Sequence, residues 1–310
     1  MALKLRQSKP QRLSLKVPAS TSNLGPGFDA LGLALNLPLN VQWEPAERTT
    51  VVRKGGLSES TLAHGSDPVV RGMRRAAILN GKKLPPGQVT VETDFPPGRG
   101  LGASGAGLVG GLLLGNRLTG DASQRLDLLR EAIELEGHPE NATASMLGGA
   151  HWSIPHPQQG WIHHPVAIHR ELRFVLVIPP YALETRRARK VLPTSVSFAR
   201  ASRQARRTPI LLEGLRTLDP TLLQVGIEDE LHVGPRLKLL TGAKAVLDFA
   251  TKAGALATTL SGAGSGLLLL CRLHDWEVLQ RRMEARVQRL WGDSGLVLAA
   301  RQESKGAVFS

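Results

Sequence analysis

The sequence contains a single cysteine, Cys271, in 310 residues. One thiol forms no intramolecular disulfide and cannot supply a zinc site built from several cysteines. Such low cysteine usage is typical of a reducing compartment, so we expect a cytoplasmic protein. Aromatic residues are also scarce at 4%, with Tyr181 as the only tyrosine, which argues against base stacking on single-stranded nucleic acid.

Long hydrophobic runs are missing as well. The longest stretch rich in glycine and leucine, residues 105–115, is shorter than the ~20 residues that span a bilayer. The N-terminus is basic but lacks an apolar stretch of ~7–15 residues before a cleavage site, so it does not resemble a secretory signal. We therefore expect neither a membrane segment nor export.

Positive charge is abundant. Lys and Arg total 39 against 26 Asp and Glu, which gives a formal net charge of +13. Such an excess is typical of proteins that bind nucleic acid, an anionic surface or a phosphorylated small molecule. Part of this charge lies in one basic stretch that could attract ATP or bind RNA, although a solvated face is the commoner explanation: Arg186, Arg187, Lys190, Arg203, Arg206 and Arg207.

The length and the 42% hydrophobic content suffice for two domains with buried cores. Residues 152–169 show no strong period, so we place a boundary near residue 165 and predict domains over 1–165 and 166–310. In the first domain, periodicity predicts strands at 12–18 and 89–95 and helices at 104–118 and 122–136. In the second it predicts strands at 172–178 and 296–300, a strand pair around the turn 261–266, and helices at 209–218, 242–251 and 276–291. This order of elements indicates an α+β fold.

The loop at residues 96–104 joins a predicted strand to a predicted helix and is rich in glycine. Backbone N–H groups of such a loop can approach an anion closely, and the helix dipole adds positive potential there. No Gly-Lys-Ser/Thr follows the glycines, and no G-x-G-x-x-G can be read, so the loop is neither a Walker A loop nor a dinucleotide fingerprint. It predicts a phosphate site, although a tight turn for helix packing gives the same pattern.

Glu136 ends the helix predicted at 122–136 and falls on its apolar half. A carboxylate that points into a protein interior is costly unless it is paired, hydrogen-bonded or bound to a metal. The alternative is that the helix frays by Glu136 and the side chain reaches solvent.

Three segments, in order along the chain, resemble the motifs of the GHMP kinase family of small-molecule kinases. They are residues 17–32 (VPASTSNLGPGFDALG), 96–106 (PPGRGLGASGA) and 260–266 (LSGAGSG). Two more, 136–141 and 188–193, are similar to segments of those members that phosphorylate L-homoserine. The resemblance covers nearly the whole chain. It implies a two-domain α+β fold, with a nucleotide loop in the N-terminal domain and a ferredoxin-like C-terminal domain.

The resemblance also implies the ligands and their residues. Mg²⁺ would be held by Ser104 and Glu136. Asn141, Thr185 and Arg189 would serve the transfer of the ATP γ-phosphoryl group to the homoserine hydroxyl, and a homodimer is compatible with the family. ATP would bind along Pro96, Pro97, Gly98, Arg99, Gly100, Leu101, Gly102, Ala103, Ser104, Gly105 and Ala106. The acceptor would contact Asn23, Asp29, His138, Asn141, Arg189, Arg236 and Gly262, with Asp29 on its ammonium and the two arginines on its carboxylate.

The chain departs from the family pattern at three positions. Ala103 stands where the family usually has the first of two serines, Glu140 replaces an aspartate, and Pro235 replaces an aromatic residue before Arg236. Asn141 stands where some relatives have an aspartate assigned as a base. Because an amide does not accept the hydroxyl proton in that way, we hypothesise that the proton passes to the phosphate itself.

Two other functions stay open at this point. A kinase for another small alcohol, such as mevalonate or a sugar, would keep the ATP loop but would not need two arginines for a carboxylate. A basic nucleic-acid-binding protein would explain the charge of +13 but would leave Glu136 without a purpose.

Overall fold

A computed structural model describes residues 12–60 and 62–310. The prediction that the N-terminus is no secretory signal concerns mainly residues 1–11, which lie outside this part. The described strands are β1 (Leu13–Asn23), β2 (Gly27–Pro45), β3 (Thr50–Gly55), β4 (Gly87–Thr93), β5 (Ala150–His156), β6 (Gly160–Pro165), β7 (Leu172–Ile178), β8 (Ala257–Leu260), β9 (Leu267–Arg272), β10 (Leu296–Ala300) and β11 (Val308–Phe309). The described α-helices are α1 (Pro68–Leu79), α2 (Ala103–Leu118), α3 (Arg125–Glu136), α4 (Glu140–Leu147), α5 (Thr185–Lys190), α6 (Phe198–Thr217), α7 (Pro220–Gly226), α8 (Val233–Leu237), α9 (Ala243–Lys252) and α10 (Trp276–Trp291).

The first sheet is built around the long strand β2. Its order is β11-β1-β2-β4-β3, with β5 and β6 attached to β2. β2 has 19 residues, so it pairs with β4 through its second half and with β5 through Leu31–Leu33. β4 shows the predicted alternation, with Val89 and Val91 turned into the core.

Helices α2 and α4 pack on this sheet, and α1 and α3 pack on these two helices, with α1 very close to α2. A Cβ on Gly111 would lie 2.1 Å from the Val69 carbonyl oxygen, so only glycine permits this approach. A Cβ on Gly107 would lie 2.9 Å from the Pro68 Cβ, so the first turn of α1 lies beside the second and third turns of α2, one turn beyond the end of the predicted phosphate loop.

The second sheet has the order β10-β7-β9-β8, with every neighbouring pair antiparallel. With the helices between β7 and β8 and α10 between β9 and β10, the order is that of a ferredoxin-like βαββαβ unit. The predicted α+β fold with a ferredoxin-like C-terminal half is thus confirmed. The two sheets are also packed together, because Leu31 and Leu33 of β2 share a buried cluster with Phe174 and Leu268 of the second sheet.

Several elements differ from the predictions. The segment interpreted as a boundary near residue 165 contains the β5–β6 hairpin, whose alternation is hidden by His, Pro and Gln residues. After β10 the chain returns to the first sheet, where β11 pairs with β1, which a division at residue 165 does not predict. The strand predicted at 12–18 is longer in the structure, because β1 extends to Asn23 and β2 begins at Gly27, so most of the first motif lies in two strands.

None of the helices in the described ranges is both long and apolar enough to cross a membrane.

Candidate active site

The glycine loop at residues 96–102 leads directly into α2. Gly100 has a left-handed backbone with φ of 71°, and a Cβ there would lie 1.9 Å from the Ser261 carbonyl oxygen, so the loop needs glycine to pack against the turn after β8. In the described part of the chain no side chain caps the start of α2. The first N–H groups of α2 therefore remain available to an anion, as the phosphate-site interpretation requires.

Ser104 and Glu136 meet at the start of α2. The Ser104 hydroxyl donates a hydrogen bond of 2.8 Å to Glu136 Oε2. α3 runs through Glu136 and ends at Gly137, and the Glu136 side chain is only 10% exposed, so the alternative of a frayed helix end is wrong. Burial raises the pKa of the Glu136 carboxyl, and the charge of His138 and the hydrogen bond from Ser104 offset this only in part.

His138 lies between two carboxylates. Its Nε2 is 4.0 Å from Glu136 Oε1 and its Nδ1 is 3.1 Å from Glu140 Oε1. Burial opposes protonation of His138, but the contact with Glu140 and the charges of both glutamates outweigh it, so its pKa is raised. Glu140 Oε2 is buried without a hydrogen-bond partner among the described residues. The two carboxylates thus hold the imidazole between them and favour its charged form more than water does.

The first and third motifs hold each other in place. Asn23 donates a hydrogen bond of 2.9 Å to the Gly262 carbonyl, and Asn23 Oδ1 accepts one of 2.9 Å from the Asp29 N–H. Ser261 Oγ lies 2.9 Å from Thr21 Oγ1 and donates to the Gly100 carbonyl at 2.6 Å. The turn after β8 therefore positions both the phosphate loop and the Asp29 backbone.

Asn141 begins the buried face of α4. Its Oδ1 accepts a hydrogen bond of 2.9 Å from Ser20 Oγ, and its Nδ2 lies 3.4 Å from Glu140 Oε1. These contacts fix the amide so that its NH₂ group faces the carboxylate.

Asp29 and Arg189 form a bidentate ion pair, with distances of 2.8 Å and 2.7 Å. Asp29 belongs to β2 and Arg189 to α5, so the pair bridges the two halves of the cleft. The hydrogen bonds to Asp29 raise the pKa of the Arg189 guanidinium, which stays charged.

Arg236 is almost fully buried, at 1% exposed. Its Nη1 contacts His232 Nδ1 at 3.0 Å, and His232 Nε2 contacts the Gly25 carbonyl at 2.9 Å. A carbonyl only accepts and a guanidinium only donates, so these partners place the His232 proton on Nε2 and leave Nδ1 as the acceptor. Burial lowers the pKa of His232, consistent with a neutral ring, and burial together with Arg189 lowers the pKa of Arg236 to about 10.

Phe28 separates the two arginines. Its ring centroid is 5.5 Å from the Arg189 Cζ and 5.1 Å from the Arg236 Cζ, and the ring stacks on His232 at 4.9 Å. Both guanidinium groups thus share one aromatic surface, a favourable cation–π arrangement. Phe28 lies within the first motif, but no pattern in the sequence indicates this role.

A cleft of about 330 Å³ brings these groups together. It is lined by most of the predicted site residues: Asn23, Asp29, Pro96, Pro97, Gly98, Arg99, Gly100, Leu101, Gly102, Ala103, Ser104, Glu136, His138, Asn141, Thr185, Arg189, Arg236 and Gly262. Gly105 and Ala106 lie in the buried first turns of α2 and are not among the lining residues.

The cleft also has residues that the sequence did not single out. Arg53 forms an ion pair of 2.8 Å with Asp67, which caps α1 by accepting from the Val69 N–H. Arg71, one turn into α1, lines the cleft beside Ser104 and Glu136. These residues come from a segment without a recognisable motif, so only the packing of α1 against α2 shows that they belong to the site.

Comparison with known proteins adds an independent line of observation. The model of the GHMP kinases N terminal domain matches residues 68–149. Homoserine kinase of Desulfitobacterium hafniense is 33% identical over 269 residues, which cover 87% of this chain and 90% of that protein. Homoserine kinase of Trichormus variabilis is 32% identical, over 93% of this chain and 95% of that protein.

Solved structures agree on the fold. The crystal structure of homoserine kinase from Cytophaga hutchinsonii superposes with a TM-score of 0.83 over 98% of this chain and 99% of that chain, at 23% identity. L. major mevalonate kinase in complex with R-mevalonate gives a TM-score of 0.71 over 99% of this chain and 100% of that chain, at 12% identity. At these identities the superpositions speak for the architecture, which both of those enzymes share with this chain.

Proposed function

Because the chain belongs to the homoserine kinases, a branch of the GHMP kinase family, we propose that it transfers the γ-phosphoryl group of ATP to the side-chain hydroxyl of L-homoserine. The product is O-phospho-L-homoserine, an intermediate of threonine biosynthesis. The observation that carries this proposal is a single cleft that contains both a phosphate loop with Ser104 and Glu136 and a set of opposite charges at Asp29, Arg189 and Arg236.

The nucleotide site is assigned to residues 96–106. The open N–H groups at the start of α2 and the glycine-rich approach to it suit a triphosphate, because they supply donors and positive potential without a bulky side chain. The carboxylate–arginine groups lie apart from this loop in sequence, so the two substrates are assigned different residues of the same cleft.

Ser104 and Glu136 fit Mg²⁺. A hydroxyl and a carboxylate are hard oxygen ligands, they lie 2.8 Å apart, and the carboxylate is otherwise a costly buried charge. No group of three or more His, Cys, Asp or Glu side chains suited to a metal occurs in the described ranges, which agrees with an ion held by few protein ligands and by phosphates. When bound, Mg²⁺ would neutralise charge on the triphosphate.

The acceptor is assigned to the charged side of the cleft. Homoserine carries an ammonium and a carboxylate, and Asp29 matches the first while Arg189 and Arg236 match the second. We assign the rest of the acceptor pocket to Asn23, His138, Asn141, Thr185 and Gly262, which line the same cleft. Mevalonate and sugars have no ammonium, so either would leave the Asp29 carboxylate without a partner once Arg189 turned to another group. The same charges favour an amino-acid acceptor over a nucleic acid.

In the transfer step the homoserine hydroxyl oxygen forms a bond to the γ-phosphorus, and the bond from that phosphorus to the β–γ bridging oxygen breaks, so that ADP leaves. Asn141 is an amide and does not act as a base, and His138 is engaged by the Glu136 and Glu140 carboxylates. We therefore assign the hydroxyl proton to an oxygen of the transferred phosphoryl group. The protein contributes alignment of the two substrates and compensation of their charge.

A coupled assay of ADP release tests the proposal. ATP and Mg²⁺ are supplied with L-homoserine, mevalonate, galactose or no acceptor. Of the acceptors tested, we expect only L-homoserine to increase ADP release above the rate without acceptor. Release with mevalonate or galactose and none with L-homoserine would overturn the assignment of the acceptor but leave the nucleotide site in place.

A further inference from the structure

An open groove adjoins the cleft at Ser104 and Glu136, and its walls are strongly cationic. The groove and the cleft share six lining residues, Arg71, Ser104, Glu136, His138, Thr185 and Arg189, and three cations of the groove are not used by the proposed function. Arg71 comes from α1, and Arg186 and Lys190 come from α5. We refer to Arg71, Arg186 and Lys190 as the cation rim.

The charge of the cation rim is not neutralised within the described part of the chain. None of its three members has a carboxylate within ion-pair distance there, whereas Arg75, one turn after Arg71, pairs with Glu131 and Glu134. Glu136 is the one carboxylate of the groove and is hydrogen-bonded to Ser104, while Arg189 is paired with Asp29. The groove therefore has a surplus of positive charge beside the residues assigned to Mg²⁺.

Arg71 is held at this place by one contact. Its Nη2 donates a hydrogen bond of 3.3 Å to the Leu135 carbonyl in the last turn of α3, and its charge acts on the Glu136 carboxyl. A guanidinium has five N–H donors, so most of those on Arg71 remain free for another partner. A guanidinium and an ammonium next to free space are suited to a phosphate, which takes several charge-assisted hydrogen bonds.

We propose that the cation rim binds the phosphoryl group that is transferred, as a dianion with three free oxygens. This inference rests on the proposed function, which assigns the triphosphate to residues 96–106 and Mg²⁺ to Ser104 and Glu136. The same chemistry occurs in two ligands, the terminal phosphate of ATP before transfer and the phosphate ester of the product after it. ADP ends in a phosphate of the same charge, but that group is the β-phosphate, one phosphate farther from the acceptor, and homoserine has no phosphate.

Equilibrium binding without turnover tests the proposal. Dissociation constants are measured separately for ATP, ADP, O-phospho-L-homoserine and L-homoserine, with Mg²⁺ present throughout. The variants are Arg71→Gln, Arg186→Gln and Lys190→Gln. The matched controls are Arg74→Gln, on the exposed side of α1, and Arg187→Gln, which is exposed on α5 and does not line the groove.

We expect Arg71→Gln to weaken ATP binding about tenfold, and Arg186→Gln and Lys190→Gln, whose side chains are exposed, to weaken it about threefold each. The affinities for ADP and for homoserine should stay unchanged. Weaker binding of ATP assigns the rim to the phosphate before transfer, weaker binding of the phosphorylated product assigns it to the phosphate after transfer, and both results support the proposal. Added salt should reduce the difference between wild type and the Arg186 and Lys190 variants, because exposed charges are screened.

Equal effects on ATP and ADP, no effect on either phosphorylated ligand, or equal effects in the controls would overturn the proposal. If Arg71→Gln lowers the melting temperature because the Leu135 carbonyl loses its donor, Arg186→Gln and Lys190→Gln still decide the result. Another outcome is that the wild type binds ATP more tightly than ADP, with this difference lost in the rim variants, and yet binds no homoserine. In that case the role of the cation rim is supported and the proposed acceptor is wrong.

Discussion

Arg189 and Asp29 neutralise each other across the cleft through two hydrogen bonds of 2.8 Å and 2.7 Å. The proposed function assigns these same groups to the carboxylate and the ammonium of one substrate. When a zwitterionic amino acid binds, the ion pair between Arg189 and Asp29 would be replaced by two ion pairs with the ligand. Neither protein charge would then lose a partner. A ligand with only one of the two charges would leave the other protein charge without a partner, which is costly in a partly buried site.

The arginine assignment predicts a selective effect on homoserine. Arg189→Ala and Arg236→Ala each remove a charge-assisted pair of about 1.5–3 kcal/mol, so we expect the KM for homoserine to rise roughly tenfold to a hundredfold. The KM for ATP should stay nearly unchanged in steady-state kinetics, because neither arginine is assigned to the nucleotide. Arg187→Ala, exposed on the same helix, is the control and should behave as wild type. If ATP binding weakens and homoserine binding does not change, the two arginines bind the phosphates and their assignment to the homoserine carboxylate is wrong.

Glu136 is predicted to be essential for metal-dependent transfer. Glu136→Gln keeps a hydrogen-bond acceptor for Ser104 but removes the charged oxygen ligand, so turnover should fall by orders of magnitude. Glu134→Gln is the matched control, because the Glu134 side chain is 67% exposed on the other face of α3. Mg²⁺ is titrated while metal binding and turnover are both measured. Only Glu136→Gln should need a higher Mg²⁺ concentration than wild type. Equal losses in both would contradict the assignment.

His232 is predicted to act on the acceptor through Arg236. His232→Leu removes the acceptor of the Arg236 Nη1 donor and leaves a buried charge under-bonded, so the KM for homoserine should rise about tenfold with the KM for ATP unchanged. His232→Asn places an amide oxygen near the former Nδ1 and should recover part of the loss. Steady-state kinetics and melting temperatures on both variants separate this from instability. Failure of Asn to improve on Leu at equal stability would show that the contact does not position Arg236.

Much of the site could be predicted because its residues are local in sequence. The loop before α2 depends on glycines close to the ligand, and the phase of α3 alone places Glu136 on the inner side. The edge hairpin β5–β6 could not be predicted in this way, because residues such as His163 and Trp161 are only partly buried and do not alternate clearly. Long-range relationships were also beyond the sequence. The position of Arg71 depends on how closely α1 approaches α2 at Gly111, and the pairing of β11 with β1 joins the two ends of the described chain.

His163 predicts a pH dependence of stability. Burial is the main cause that lowers its pKa to about 4, and its Nδ1 lies 2.9 Å from Ser153 Oγ. Between pH ~6.5 and pH ~4 the unfolded chain binds a proton that the native His163 does not, so stability from this residue falls as the pH falls. In His163→Asn the slope of unfolding free energy against pH should be shallower by up to about one proton, measured by urea unfolding. His164→Asn, at the exposed neighbour, should keep the wild-type slope, and an unchanged slope in His163→Asn would refute the assignment.

Asn141 tests whether the enzyme needs a protein base. In Asn141→Asp one carboxylate oxygen can still accept from Ser20, but the other replaces the amide donor that lies 3.4 Å from Glu140 Oε1, so two like charges meet in a buried site. We therefore expect no acceleration and a loss of roughly tenfold or more in kcat, together with lower stability. Asn141→Ala is the control, since it removes the amide without adding charge and should lose less stability. Single-turnover rates measured across pH 6–9 compare the chemical step directly. A faster step in Asn141→Asp would mean that a base in this position does assist the transfer, and the direct passage of the proton to the phosphoryl oxygen would have to be abandoned.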